Sequence, residues 1–403
     1  MNPPSRLPPL LRPPRARAFP RMLAAGLALL LAGCATFRLP PRRTSLESAQ
    51  SVLKASLVSN FLVIETQGDK RGPYHFIIDT GSSATLVTPD LAKRFGGRAR
   101  GNQAPVRVLG ANGQVKLLNP VTLKRFELGA ARFEGVQALE HDLADLSNHL
   151  GMRIDGVLGF PLFRDTLLTL DYLHSEVTIT PHGVPMALPG VTIPFNNEQN
   201  TPLIPIQLGA ESFIALVDSG SDAALSLNTV GLHPSFQYGP KPGALVATLA
   251  GDRLRMTGRL AQPLTIGAYV IENPIVDMTD ELSSIGGGLL RNFAVTFDQK
   301  RNQVTFFRPN FDAITVPPLR STGLSFTKTA AYWRVAAVVG QSAAEQLGVQ
   351  AGDLCTRIND EPVSAWPFRR YADLIHTASR VTYTFIEGNQ EQQVTLPVFE
   401  LVP

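Results

Sequence analysis

The chain has 403 residues, 44% of them apolar and 17% charged, which is enough for two or three domains with real cores and excludes disorder as the main state. Its formal charge of +4 resides in the leader: residues 1–33 carry Arg6, Arg12, Arg15, Arg17 and Arg21 and no acid, leaving 32 basic against 33 acidic residues elsewhere. A body so close to neutral excludes a counterion-releasing grip on nucleic acid.

Met22–Gly33 reads MLAAGLALLLAG, an apolar run shorter than the roughly 20 residues that span a bilayer. It follows an arginine-rich segment and ends in Leu31-Ala32-Gly33-Cys34, small residues directly before a cysteine. The arrangement resembles a bacterial lipoprotein signal (residues 1–33), in which cleavage leaves Cys34 at the N-terminus to carry lipid. The resemblance implies a protein of the bacterial cell envelope, anchored by lipid to a membrane and facing the periplasm or cell surface. An ordinary cleaved signal and a membrane anchor are the alternatives. Residues 34–50, with Pro40, Pro41, Arg42 and Arg43, then form a tether. The only other cysteine is Cys355, so acylation of Cys34 leaves no pair for an intramolecular disulfide. Cys355 sits in an apolar pattern and is expected in a core.

Beyond the tether, short β-branched apolar runs alternate with Gly, Asn, Asp and Pro, as in NFLVIE (60–65), PYHFII (73–78), FIALV (213–217) and VTFF (304–307). This is an all-β pattern, with helical periodicity scarce before residue 340. An internal repeat is more informative. Gly159-Phe-Pro-Leu-Phe-Arg-Asp-Thr-Leu-Leu-Thr-Leu-Asp171 lies over Gly286-Gly-Gly-Leu-Leu-Arg-Asn-Phe-Ala-Val-Thr-Phe-Asp298 at an offset of 127. Upstream, FIIDTGSS (76–83) lies over ALVDSGSD (215–222) at an offset of 139. Two related lobes follow, residues 51–185 and 186–312.

In each lobe an apolar strand delivers an aspartate into a turn, Asp79-Thr80-Gly81-Ser82 and Asp218-Ser219-Gly220-Ser221. Glycine lets the backbone turn where a Cβ would clash, and the hydroxyl residues can tie the turn to neighbouring backbone. Pairing the lobes about a pseudo-two-fold axis would bring Asp79 and Asp218 together. Two carboxyls that close share a proton, so one serves as base and the other as acid. The base activates a water that attacks a peptide carbonyl, with no metal, no cofactor and no covalent intermediate.

At these residues the sequence resembles the aspartic proteases, the retropepsin-like and pepsin-like superfamily, over roughly residues 50–310. The resemblance implies that Asp79 and Asp218 are catalytic, that Thr80 and Ser219 lock the two loops together, and that Ser82 and Ser221 hydrogen-bond the carboxylates, with Gly81 and Gly220 completing the loops. Val157-Leu158-Gly159 matches the family's second signature; Ser284-Ile285-Gly286 matches it less well. The family's flap is expected at Asn112-Gly113 in the first lobe or around Gly251 in the second, unless these are plain surface hairpins. Asp222 departs from the family pattern, since its counterpart is Ser83. The seven histidines lack metal spacing and are read as structural or surface residues.

From about Pro318 the composition changes, and both tryptophans, Trp333 and Trp366, lie in this last segment. Ser342-Ala-Ala-Glu-Gln-Leu-Gly348 reads as a short helix closed by glycine, then a strand over 354–358 and a turn at Asn359-Asp360. Residues 318–403 resemble a bacterial PDZ domain, with Gly323, Leu324, Ser325 and Phe326 where that family binds a peptide C-terminus; a short strand with a stray glycine is the alternative. The expected protein is therefore all-β, with a two-lobed pepsin-like fold followed by a small α+β PDZ domain. It acts as an aspartic endopeptidase on protein or peptide substrates, with no nucleic-acid partner. The alternative is an inactive lipid-anchored scaffold that binds protein termini through its PDZ domain.

Overall fold

A computed structural model of the protein describes residues 40–68, 72–97, 104–109, 115–183, 188–246, 253–329, 331–388 and 390–403. The leader, Cys34 and the flap candidates Asn112, Gly113 and Gly251 lie outside the described residues. What is described is mostly strand.

The two copies of the repeat fold alike. In the first half, strand Tyr74–Asp79 pairs on one side with Phe61–Thr66 and on the other, in parallel, with Gly156–Gly159, so that Asp79 stands opposite Gly159. Thr85–Val87 then runs antiparallel on the far side of Gly156–Gly159. In the second half, Glu211–Val217 pairs with Leu203–Leu208 and, in parallel, with Ser284–Ile285, beyond which Leu225–Leu227 runs antiparallel. Ile285 stands opposite Val217 as Leu158 stands opposite Ile78, residues related by the two sequence offsets.

Alternation explains the packing. In Leu203–Leu208, Ile204, Ile206 and Leu208 are buried while Pro205 and Gln207 are exposed, the period of two expected of a half-buried strand. Strand Tyr74–Asp79 is covered on both faces: Phe76 and Ile78 enter the main core, and Ile77 enters a second cluster with Leu146 and Leu150. Hence its near-continuous apolar sequence.

A six-stranded segment joins the halves. Ser51–Val58, Glu176–Pro181 and Thr166–Asp171 meet Ala294–Asp298, Gln303–Phe307 and Val191–Pro194, and the seam is the antiparallel pair Thr166–Asp171 with Ala294–Asp298. Thr169 faces its own repeat partner Thr296 there, with the two Oγ1 atoms 2.9 Å apart. A pseudo-two-fold axis passes through this point, and one hydrophobic cluster spans both halves around it.

Two short helices in the first half escape a periodicity search, because seven residues make under two turns. Pro89–Phe95 starts with Thr88 as N-cap and proline in its first turn; Ala144–Leu150 buries Leu146 and Leu150 and ends at Gly151 in the left-handed region (φ 64°).

The C-terminal segment has a separate core around Trp333, Phe326, Tyr383 and Leu396. Its sheet runs in the order Leu324–Lys328, Trp333–Val338, Leu354–Ile358, Arg380–Glu387, Gln390–Pro397, with a helix at Phe368–Thr377. The short helix begins on the Ser342 cap, Gly348 follows it at φ 83°, and Asn359-Asp360 turns with both φ positive. Cys355 is fully buried, and burial pushes its thiol up to about 12.

Candidate active site

The loops after Asp79 and Asp218 meet across the pseudo-two-fold axis. The Thr80 N–H donates to Ser219 Oγ (3.0 Å) and the Ser219 N–H donates to Thr80 Oγ1 (3.0 Å). The Thr80 hydroxyl donates to the Val217 carbonyl (2.6 Å), and the Ser219 hydroxyl to the Ile78 carbonyl (2.7 Å). All four bonds cross between halves, and both residues are fully buried.

Glycine is required next to each aspartate by close approach. A Cβ on Gly81 would lie 2.4 Å from Asp218 Oδ1, and one on Gly220 would lie 2.1 Å from Asp79 Cγ. Each loop therefore presses its glycine against the other loop's carboxylate, and the two aspartates are brought into one small volume.

The parallel strands beneath complete the support. The Phe160 N–H donates to the Ser82 carbonyl (2.9 Å), and the Gly287 N–H to the Ser221 carbonyl (2.7 Å). A Cβ on Gly159 would meet the Ala84 carbonyl at 2.5 Å, and one on Gly286 the Ala223 carbonyl at 2.3 Å. Gly286 thus meets the same close backbone approach as Gly159, with Ser284 two positions before it paired to Leu216.

Asp79 is 7% exposed, and its carboxyl is held well above the usual range by burial, then by the charge of Asp218 and a hydrogen bond with it. The Gly81 and Ser82 N–H groups oppose this by donating to it. On the other side, the Gly220 N–H donates to Asp218 Oδ1 (2.9 Å). The Ser82 hydroxyl differs from expectation: it donates to the Ala84 carbonyl (2.8 Å), so backbone amides serve Asp79 instead. Tyr172 is buried close enough for both carboxylates to act on it, and burial followed by the charges of Asp218 and Asp79 pushes its phenol up.

Asp222 turns toward the first half. Its Oδ2 lies 3.5 Å from Nε2 of His149, on helix Ala144–Leu150, with the side chains 18% and 14% exposed. No sequence signal marks His149 for this contact, which arises only when the halves dock. Other histidine–carboxylate pairs are His174 with Asp171, His75 with Glu65, His233 with Glu211, and His182 with Asp298, the last also crossing between the halves. Among the described residues, no group of three His, Cys, Asp or Glu side chains is placed to hold a metal ion.

In the C-terminal segment Gly323 adopts φ 90°, where a Cβ would strike Ser342 Oγ at 2.6 Å. Its N–H is taken by Ser321 Oγ (2.8 Å), and Leu324 and Phe326 point into the domain's own core. Leu324–Lys328 stands at the end of the strand order of its sheet.

Residues 64–162, which include Asp79 and the Gly156–Gly159 strand, match the model of the aspartyl protease family. No curated protein matches the chain. Among solved structures, the crystal structure of the HtrA3 PDZ domain bound to a phage-derived ligand (FGRWV) is similar at 16% identity, over 21% of this chain and 88% of that one, with a TM-score of 0.19.

Proposed function

We propose that the protein is an aspartic endopeptidase of two pepsin-like lobes, residues 51–185 and 186–312, joined to a PDZ domain at 318–403 and held at the bacterial envelope by a lipid on Cys34. The observation that carries the peptidase reading is the reciprocal Thr80–Ser219 exchange, which holds Asp79 and Asp218 together with each loop's glycine against the opposite carboxylate. Like charges so close favour a pair that keeps one proton between them. The ionised oxygen draws a proton from a water between the carboxyls, the water attacks the scissile carbonyl, and the protonated carboxyl supplies the forming oxyanion. On collapse the carboxyl that took the water's proton gives it to the departing amine, a hydroxyl of the tetrahedral intermediate returns its proton to the other carboxylate, and the pair again holds one proton.

The end strand Leu324–Lys328 supports peptide addition by main-chain pairing, the means by which the C-terminal domain would recruit substrate or partner termini. The test is incubation of the full chain in detergent with a peptide library from pH 3 to 7, read by mass spectrometry beside Asp79→Asn and Asp218→Asn. Cleavage by wild type that is lost in both variants is the expected result. Absence of cleavage by wild type at every pH would sink the reading and leave a scaffold.

A further inference from the structure

The two catalytic loops obey the pseudo-two-fold axis closely, and besides the conservative Thr80/Ser219 pair they differ at one place: Ser83 ends the first and Asp222 the second. Asp222 is held twice by the first half. Its carbonyl accepts from Asn60 Nδ2 (2.8 Å), in the turn between Ser51–Val58 and Phe61–Thr66, and its carboxylate lies 3.5 Å from His149 Nε2. Asn60 is itself fixed, its Oδ1 accepting from Arg291 (3.4 Å) and its carbonyl sitting where a Cβ on Gly287 would be, at 2.1 Å.

His149 is also firmly placed. Helix Ala144–Leu150 buries Leu146 and Leu150 beneath it, and on its other flank lies strand Leu324–Lys328 of the C-terminal domain. The Lys328 stem passes so close to Gly151 that a Cβ there would be 2.8 Å from Cδ, and its ammonium donates to the Trp366 carbonyl (3.0 Å). A side chain on a helix clamped from two sides is a fixed point against which a loop can be set.

We propose that His149 is a positioning residue for the second catalytic loop: by holding the Asp222 carboxylate while Asn60 holds its carbonyl, it fixes the far end of the loop that carries Asp218. The role rests on the peptidase reading for its kinetic consequence but not for its structural one. The loop end is four residues from Asp218, and small displacements of a reacting group cost rate steeply. The effect therefore falls on turnover rather than on substrate affinity.

The test uses the full chain in detergent. His149→Leu is expected to lower kcat about tenfold with KM changed less than twofold. His149→Gln, whose amide can still donate to Asp222, should recover most of the loss. Asp222→Ser, which installs the residue of the first loop, should match His149→Leu, and the double variant should be no slower than either, since both remove one contact. Independently of catalysis, hydrogen exchange at the Gly220, Ser221 and Asp222 amides should rise in His149→Leu while Gly81, Ser82 and Ser83 stay unchanged. Unchanged exchange in the second loop, or additive rate losses in the double variant, would overturn the proposal. A wild type without peptidase activity would sink the peptidase reading alone, and the exchange measurement would still decide the positioning role. Should His149→Leu fail to fold, Asp222→Ser gives the same two readouts.

Discussion

Thr80 and Ser219 each use one backbone N–H and one hydroxyl to bond the other's half of the molecule, so that four buried hydrogen bonds close a ring at the pseudo-two-fold axis. Thr80→Val keeps the shape but strands the Ser219 N–H and the Val217 carbonyl in a fully buried site. Each orphaned group costs about 1–3 kcal/mol, so the variant should lose about 2–6 kcal/mol of stability by urea denaturation. Thr80→Ser, which retains the hydroxyl, should lose far less. Because both hydroxyls belong to one ring, Thr80→Val and Ser219→Ala together should cost clearly less than the sum of the two; strict additivity would mean the ring does not act as a unit.

The raised Asp79 carboxyl gives stability a definite slope with pH. The folded state keeps its proton above the unfolded value of about 3.9, so it binds more protons than the unfolded chain as pH rises from there to the raised folded value. Stability from this group is consequently fully present below that window, falls across it, and stays low above it. Asp79→Asn removes the ionisation and should unfold at a higher temperature than wild type at pH 7, with the two curves converging below about pH 4. A variant less stable than wild type at pH 7 would contradict the assigned direction.

Gly81 and Gly220 show why the carboxylates can approach. An alanine at 220 places its Cβ within bonding overlap of Asp79, and an alanine at 81 does the same to Asp218. Neither aspartate can retreat without breaking the Thr80–Ser219 ring behind it. Either alanine variant should therefore abolish cleavage of any peptide that wild type cuts. Gly231, which would meet nothing within 4 Å, is a matched control for position-independent effects, although its φ of 78° still disfavours alanine. Near-normal turnover in Gly220→Ala would show that the loops are less tightly apposed than the geometry requires.

The repeat made much of this visible beforehand. Offsets of 127 and 139 in the sequence are the same offsets that relate Thr169 to Thr296 at the seam and Thr80 to Ser219 at the ring, because a duplicated unit pairs with its own copy. The strand-Asp-Thr/Ser-Gly-Ser pattern located both loops, since that backbone geometry has few sequence solutions. His149 was invisible for the opposite reason: it sits on a seven-residue helix and finds Asp222, 73 positions away, only through docking of the halves. The Ser82 hydroxyl could not be read either, for a short side chain in a turn has several acceptors in reach and only the folded loop selects the Ala84 carbonyl.

The C-terminal domain is also tied to the second half, through a charge taken out of water. Arg259, 7% exposed on strand Arg253–Leu260, donates to a backbone oxygen of Pro403 and to the Asn273 carbonyl, beside strand Phe399–Val402. Burial lowers its pKa, a sign that the guanidinium has given up solvation for these two acceptors. Arg259→Met keeps the bulk of the stem and removes both bonds. The two halves should stay folded around their shared core, while the C-terminal domain, which has a core of its own, loosens from them. Calorimetry should then resolve two transitions where wild type gives one, and limited proteolysis should cut within residues 308–318. A single unchanged transition together with unchanged resistance to proteolysis would show that the Leu324–Lys328 contact with helix Ala144–Leu150 suffices to hold the domain in place.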